Sequence, residues 1–373
     1  MRSYLDHNAT TPVRPEAMEA VSAALCLGGN ASSVHNEGRA AKALLERARE
    51  QVAGLVGARA ADVTFTSGGT EVANLVIKGN KCDRILMSAV EHPCVLNAAR
   101  NSGKPTETIP VTSEGVIDLK ALETLLNAGE GNALVAVMMA NNETGVVQPI
   151  SEVAALAHEH GAVVFCDAVQ AGGKMPVNML LSGVDCLSIS AHKIGGPAGS
   201  GALIALPSMA IGALQHGGGQ ELRRRPGTEN ISGIAGFGAA AAKVAQEPVE
   251  CGVLRDALEA GVKRVRSDAV FFGAGEDRLN NTSFFAVPGM SAEMLVIALD
   301  LAGIAVSSGS ACSSGKVHRS HVLDAMSANG DLANGAIRVS FGWTSTKADV
   351  DAFLAAFEEI NSRAVKPAAG EAA

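Results

Sequence analysis

Ala162-Val163-Val164-Phe165-Cys166-Asp167-Ala168-Val169-Gln170 and Cys186-Leu187-Ser188-Ile189-Ser190-Ala191-His192-Lys193 share one pattern. Each is a short, largely apolar run that stops on polar and charged residues. Runs apolar on both faces suit buried parallel strands. Similar runs at 63–66, 84–88, 134–139 and 202–206 join those at 162–166 and 186–190, with amphipathic stretches between several of them. One such stretch, 150–160, has Ser151 as its expected N-cap. Strand alternating with helix predicts an α/β fold: a mostly parallel central sheet with helices on both faces. Ligands bind such sheets beyond the carboxyl ends of the strands, where Asp167 and Lys193 fall.

After about residue 252 the rhythm changes. Strands are expected at 270–272, 283–287, 304–307 and 337–340, and helices at 292–301 and 347–360. This reads as a smaller α+β domain. The expected division is a large domain over 15–251, a small one from 1–14 and 252–364, and a disordered Ala/Gly/Pro/Glu-rich tail over 365–373.

Composition excludes several classes of function. The chain has 373 residues, enough for two hydrophobic cores. A net charge of −8 and few aromatics argue against a nucleic-acid groove or a base-stacking platform. The longest apolar run, 133–140, is too short to span a bilayer. Residues 1–12 lack the apolar core of a secretory leader. Seven cysteines stand apart with no CxxC pair, which argues against structural zinc and a disulfide framework. A cytoplasmic protein with reduced thiols is expected, most of them small buried fillers.

Three constellations carry chemistry. Thr66-Ser67-Gly68-Gly69-Thr70-Glu71 follows a strand and precedes the helical pattern 72–77, so glycines, hydroxyls and a helix N-terminus could cradle a phosphate. A plain turn is the alternative. Asp167, with Gln170 three residues on, could face a ligand or could cap a helix. Lys193 ends a buried strand, although most lysines lie on solvated faces. A partly buried lysine is a candidate amine nucleophile; a surface lysine is the alternative. Together, cup, carboxylate and lysine are the parts pyridoxal phosphate needs: phosphate binding, protonation of the ring nitrogen and covalent attachment.

These segments, with Tyr4-Leu5-Asp6-His7-Asn8-Ala9-Thr10-Thr11, Asn141-Asn142-Glu143-Thr144-Gly145, His216-Gly217-Gly218-Gly219-Gln220-Glu221, Arg225-Pro226-Gly227-Thr228-Glu229-Asn230 and Ser307-Ser308-Gly309-Ser310-Ala311-Cys312, resemble the class V aminotransferase-fold enzymes. Within that class they look like cysteine desulfurases of the NifS/IscS type. The resemblance implies the pyridoxal-phosphate-dependent transferase fold of type I and conversion of L-cysteine to L-alanine. Sulfur would be held as a persulfide on Cys312 and passed to an acceptor such as an iron–sulfur scaffold protein. It assigns Lys193 to covalent attachment of pyridoxal phosphate, Asp167 to the pyridine nitrogen and Gln170 to the ring hydroxyl oxygen. His92 would stack on the ring and move protons. Gly69, Thr70, Ser190 and His192 would bind the phosphate, and Thr228 would bind the phosphate of the other subunit of a homodimer. Asn142 would lie near ring and substrate, and Arg338 would clamp the substrate carboxylate. Cys312 is also a candidate transient iron–sulfur ligand. The Ser/Gly-rich surroundings of Cys312 suit a thiol that swings between cofactor and acceptor. Ala198 and the basic Lys316-Val317-His318-Arg319 depart from the family pattern without touching the cofactor residues. Alternatives are a selenocysteine lyase or aminotransferase on the same fold, or an inactive sulfur-trafficking platform.

Overall fold

In the computed structural model the strands are β1 Ser3–Tyr4, β2 Val63–Thr66, β3 Arg84–Ser88, β4 Thr106–Ile109, β5 Ala133–Met138, β6 Val163–Asp167, β7 Cys186–Ser190, β8 Gly201–Ala205, β9 Val270–Phe271, β10 Thr282–Ala286, β11 Ile304–Ala305, β12 Ser307–Ser308 and β13 Ala336–Ser340. The structure describes residues 2–309 and 319–364, so Cys312 and the 365–373 tail lie outside it.

Seven strands form one sheet in the order β2-β8-β7-β6-β5-β3-β4. All are mutually parallel except β8, which runs against both its neighbours. Side chains alternate between faces with a period of two, so the apolar β5 feeds both cores. Leu134 and Ala136 join one, Val135 and Val137 the other. Strands built this way must be covered on both faces. The chain leaves β3 for β4 on one side and returns to pair β5 on the other. That reversal opens a crevice at the carboxyl ends of β3 and β5.

A second sheet, β12-β13-β10-β9, is antiparallel, and its core includes Phe285, Ile337, Val339, Phe353 and Phe357. β1 pairs with β11, and Asp6 bridges to Ser340. The N-terminal segment thus lies on β13 before Thr11 and Arg14 bond the His192 and Gly195 carbonyls.

Four expectations need correction. The helix Ile150–Glu159 is capped at Pro149, not Ser151; its hydrogen bonding already starts with Val153 N–H on the Pro149 carbonyl. The helix expected at 72–77 begins at Gly69, because Gly68 adopts φ 153°, ψ −179°, a region open only to glycine. The strand expected over 304–307 is two, since β11 pairs with β1 and β12 with β13. β4 was not expected: as an edge strand it buries only its last residue and lacks an apolar run. Several other strand ends shift by one residue, the usual uncertainty at element ends.

Candidate active site

The crevice is a cavity of about 300 Å3 lined from both halves of the chain. Gly69, Thr70, His92, Asn142, Asp167, Gln170, Ser190, His192, Lys193 and Arg338 all line it, as do Asn8, Ala9, Cys94 and Gly309. Strand register brings them together. Thr66 of β2 and Ser190 of β7 both pair with Gly201 of β8, so the glycine turn after β2 and the lysine turn after β7 share one end of the sheet. A Cβ on Gly201 would come within 2.5 Å of the Gly68 Cα, so only glycine lets the two backbones approach.

The turn opens the helix Gly69–Gly79, whose first N–H groups have no intrahelical acceptor. Glu71 accepts the Ser67 N–H at 2.7 Å and pairs with Arg225 at 3.2 Å. Burial opposes its charge, but Ser67 and Arg225 outweigh burial and hold its carboxyl below the usual range. The ion pair ties the turn to the loop carrying Thr228. Thr228 itself is exposed and outside the cavity.

Asp167 ends β6 and is 7% exposed. Its Oδ1 accepts the Ser188 hydroxyl at 2.9 Å and the Val169 N–H at 3.1 Å. It caps no helix. Lys193 lies in a short turn after β7; its Nζ donates to the Asn8 carbonyl and, at 2.8 Å, to that of Ala9. His192 Nδ1 lies 3.2 Å from Thr10 Oγ1. Burial, then Lys193 and Lys174, lower its pKa to about 4, so the ring is neutral.

His92 caps the helix Pro93–Arg100, its Nδ1 accepting the Cys94 N–H at 3.2 Å with Cys94 Sγ at 2.9 Å. Burial lowers its pKa although Asp167 opposes this. A neutral ring with Nδ1 as acceptor carries its proton on Nε2.

Arg338 projects from β13 and is 4% exposed. It donates to Asp6 at 2.8 Å and to the Asn142 carbonyl at 2.9 Å. Among the described residues its Nε and the Asn142 Oδ1 are buried without a partner. Buried polar atoms are rarely orphaned, and these two belong to side chains that line the cavity. Glu143 accepts the Ser320 hydroxyl. Burial pushes its carboxyl up to about 7, with Ser320 and Arg338 pulling the other way.

Sequence reasoning missed Asn8 and Cys94 as site residues. Asn8 lies in a stretch that carried the resemblance, but nothing local marks its contacts with residues more than a hundred positions away. Cys94 was counted among the fillers, and His92 two residues earlier was the available signal. Among the described residues no group of three or more His, Cys, Asp or Glu could hold a metal ion, and no helix is long and apolar enough to cross a membrane. The candidate iron–sulfur ligand, Cys312, lies outside the described residues.

The residues fit pyridoxal phosphate. A helix N-terminus with unbonded N–H groups opens on the cavity, a carboxylate and an amine stand at neighbouring strand ends, and the buried Arg338 Nε and Asn142 Oδ1 lack partners among the described residues. Comparison with known proteins agrees. The aminotransferase class-V family profile matches residues 3–353. The chain is 39% identical to an "IscS-like cysteine desulfurase" of Mycobacterium tuberculosis over 98% of each protein. It is 40% identical to "Cysteine desulfurase IscS" of Dictyoglomus turgidum, over 96% of this chain and 94% of that one. A NifS-like protein from Rickettsia africae superposes with a TM-score of 0.88 at 36% identity, covering 97% of this chain and 100% of the other. The solved "SspA in complex with cysteine" does so at 0.80 and 28% identity, covering 91% of this chain and 99% of the other. The chain belongs to the aminotransferase class-V family of pyridoxal-phosphate enzymes, and within it to the NifS/IscS type.

Proposed function

We propose that this enzyme removes sulfur from L-cysteine, releasing L-alanine and leaving a persulfide on Cys312 for transfer to an acceptor. The supporting observation is the single cavity that gathers Lys193, Asp167, the Gly69–Thr70 turn and Arg338. When bound, pyridoxal phosphate supplies an electron sink for the α-carbon of an amino acid.

The chain's own groups do the rest. Thr70 and the Gly69 N–H, with Ser190 and His192, would bind the phosphate. Asp167 holds a proton at the pyridine nitrogen, fixed in place by Ser188 and Val169. Gln170 donates to the ring hydroxyl oxygen. Lys193 carries the cofactor on Nζ, and Lys193 or His92 moves the α-proton. Arg338 keeps hydrogens on Nε and both terminal nitrogens for the substrate carboxylate, whose planar shape matches its fork. Asn142 stands beside it. The Cys312 thiolate attacks the substrate sulfur: the new S–S bond forms as the C–S bond breaks, and the electron pair stays with carbon, which takes a proton. Thiol plus L-cysteine gives persulfide plus L-alanine, with no added oxidant.

Thr228 serves the neighbouring subunit of a homodimer; its exposure outside its own cavity, on a loop tied to the phosphate turn, supports this. A monomer with full cofactor occupancy would contradict it. The division into 15–251 against 1–14 with 252–364 is supported by the separate sheets and cores. A cytoplasmic setting suits the unpaired thiols, and the names of the relatives support an iron–sulfur scaffold as acceptor.

The test is alanine release from L-cysteine compared with release from selenocysteine. Strong preference for cysteine supports the proposal, activity only on selenocysteine indicates a lyase, and no release from either indicates a binding platform. Asp167→Asn should fold normally, because its Oδ1 can still accept from Ser188 and Val169. It should lose about 10²–10³-fold in alanine release, the scale of removing one preorganised electrostatic partner. Near-normal turnover would leave Asp167 a strand-end residue only.

A further inference from the structure

Lys174 has no part in the chemistry above and does not line the cavity, yet it stands directly behind two residues that do. It is 7% exposed. A buried ammonium is costly to desolvate and is normally paired with a carboxylate. Lys174 Nζ instead donates to two neutral oxygens, Asn8 Oδ1 at 2.8 Å and Gln170 Oε1 at 2.5 Å. Burial, followed by the cations Lys193 and Arg338, pushes its pKa well below that of an ordinary lysine. An apolar side chain of similar volume would avoid that cost.

What the lysine accomplishes follows from hydrogen-bond inventory. A side-chain amide fits its site equally well in either of two flipped orientations, and only its partners choose between them. An ammonium can only donate, and on the far side of Gln170 the Asn8 backbone carbonyl can only accept. The amide end facing Lys174 is therefore the oxygen. Gln170 Nε2 is turned away, giving one hydrogen to the Asn8 carbonyl at 3.0 Å and keeping the other for the cavity. Asn8 Oδ1 faces Lys174 too, but it also accepts Asn281 Nδ2 at 3.1 Å while its Nδ2 donates to Thr282 at 2.8 Å, so Gln170 is the amide that depends on the lysine. The Asn8 carbonyl also receives Lys193 Nζ. One chain of contacts thus runs from Lys174 through Gln170 and Asn8 to the cofactor-bearing lysine.

We propose that Lys174 is a positioning residue, which sets the Gln170 amide from behind so that Gln170 presents one N–H to the pyridoxal-phosphate ring oxygen while its other N–H holds the Asn8 backbone carbonyl beside Lys193. The proposal rests on the reading of the cavity as the cofactor site. It is tested by titrating cofactor-free protein with pyridoxal phosphate and by thermal unfolding of the same cofactor-free samples. Lys174→Met should still fold and unfold in one cooperative transition, because relief from burying the amine offsets the loss of a partner for Gln170 Oε1. It should bind pyridoxal phosphate about tenfold or more weakly, the scale of one lost charge-assisted orientation. Gln170→Ala should weaken binding similarly, and adding Lys174→Met to it should cost less than a further factor of about two, because coupled residues are not additive. A merely structural lysine would give losses that multiply. If Lys174→Met does not fold, Lys174→Arg, which displaces the donors, takes its place in the cycle. Native-like binding by the lysine variant, or multiplicative losses in the double variant, overturns the proposal while leaving the cofactor reading intact. Failure of the unaltered protein to bind pyridoxal phosphate overturns that reading and this proposal with it.

Discussion

Cys312→Ser should retain pyridoxal phosphate and bind L-cysteine, yet lose alanine formation by at least about 10³-fold, the scale on which loss of a catalytic nucleophile is felt. Lys193, Asp167 and Arg338 serve any reaction at the α-carbon of an amino acid. Sulfur removal through a protein persulfide alone requires a thiol. Free thiols are a few per cent thiolate at neutral pH and strongly nucleophilic, whereas a serine hydroxyl is a poor nucleophile toward sulfur. Unaltered protein treated with L-cysteine, alkylated and mapped by mass spectrometry should carry the extra sulfur on Cys312. Cys94 is the demanding control, because it lines the same cavity. Burial foremost, with Asp167 and Glu91 adding to it, pushes its thiol up and keeps it protonated, so it should stay unmodified. Replacing Cys26, Cys82 or Cys251 should leave turnover near normal. Normal alanine release by Cys312→Ser would sink the persulfide route and favour direct lyase chemistry.

Lys193→Ala should abolish covalent retention of the cofactor. Borohydride treatment of the unaltered protein should fix pyridoxal phosphate to Lys193, and the variant should show no fixed cofactor on any lysine. Alanine release should fall by about 10²–10⁴-fold, as expected when a positioned proton-transfer group is lost, with loss of covalent attachment adding to this. The fold should survive, because Lys193 is half-buried and its partners include two backbone carbonyls, at Asn8 and Ala9, that need no particular donor. The nearby alternative amine is Lys174. Cofactor fixed to Lys174 in the unaltered protein would overturn the assignment of Lys193 and the positioning role of Lys174 together.

Much of the architecture was legible because it is local. β5 reads as a buried strand from six consecutive apolar side chains, and alternation of such runs with amphipathic stretches names the α/β class without any knowledge of pairing. The turns after β2, β6 and β7 announced themselves by residue type: glycines where backbone must approach a ligand, and a carboxylate and a lysine where a buried strand ends. What failed locally failed for a reason. Ser151 is a good cap by type, but Pro149 already supplies the carbonyl that starts the helix. β4 lacks an apolar run because it buries little, so no periodicity marked it.

Residue type and spacing along the chain therefore settled the class of fold, the candidate strand-end groups and, through resemblance, the roles proposed for them. They could not settle which strand lies beside which, or that β8 runs antiparallel and lays Gly201 against Gly68. Nor could they show that Arg338 is braced by Asp6, or that Lys174 sits buried behind Gln170 and Asn8. Apart from Lys174 on Gln170, four residues away, these contacts join residues far apart in the chain, and loop closure makes such pairings depend on the packing of everything between them. Local propensity acts over a few residues and carries no information about that packing, so the partners of Asn8, Lys174 and Arg338 emerge only when both sheets are in place.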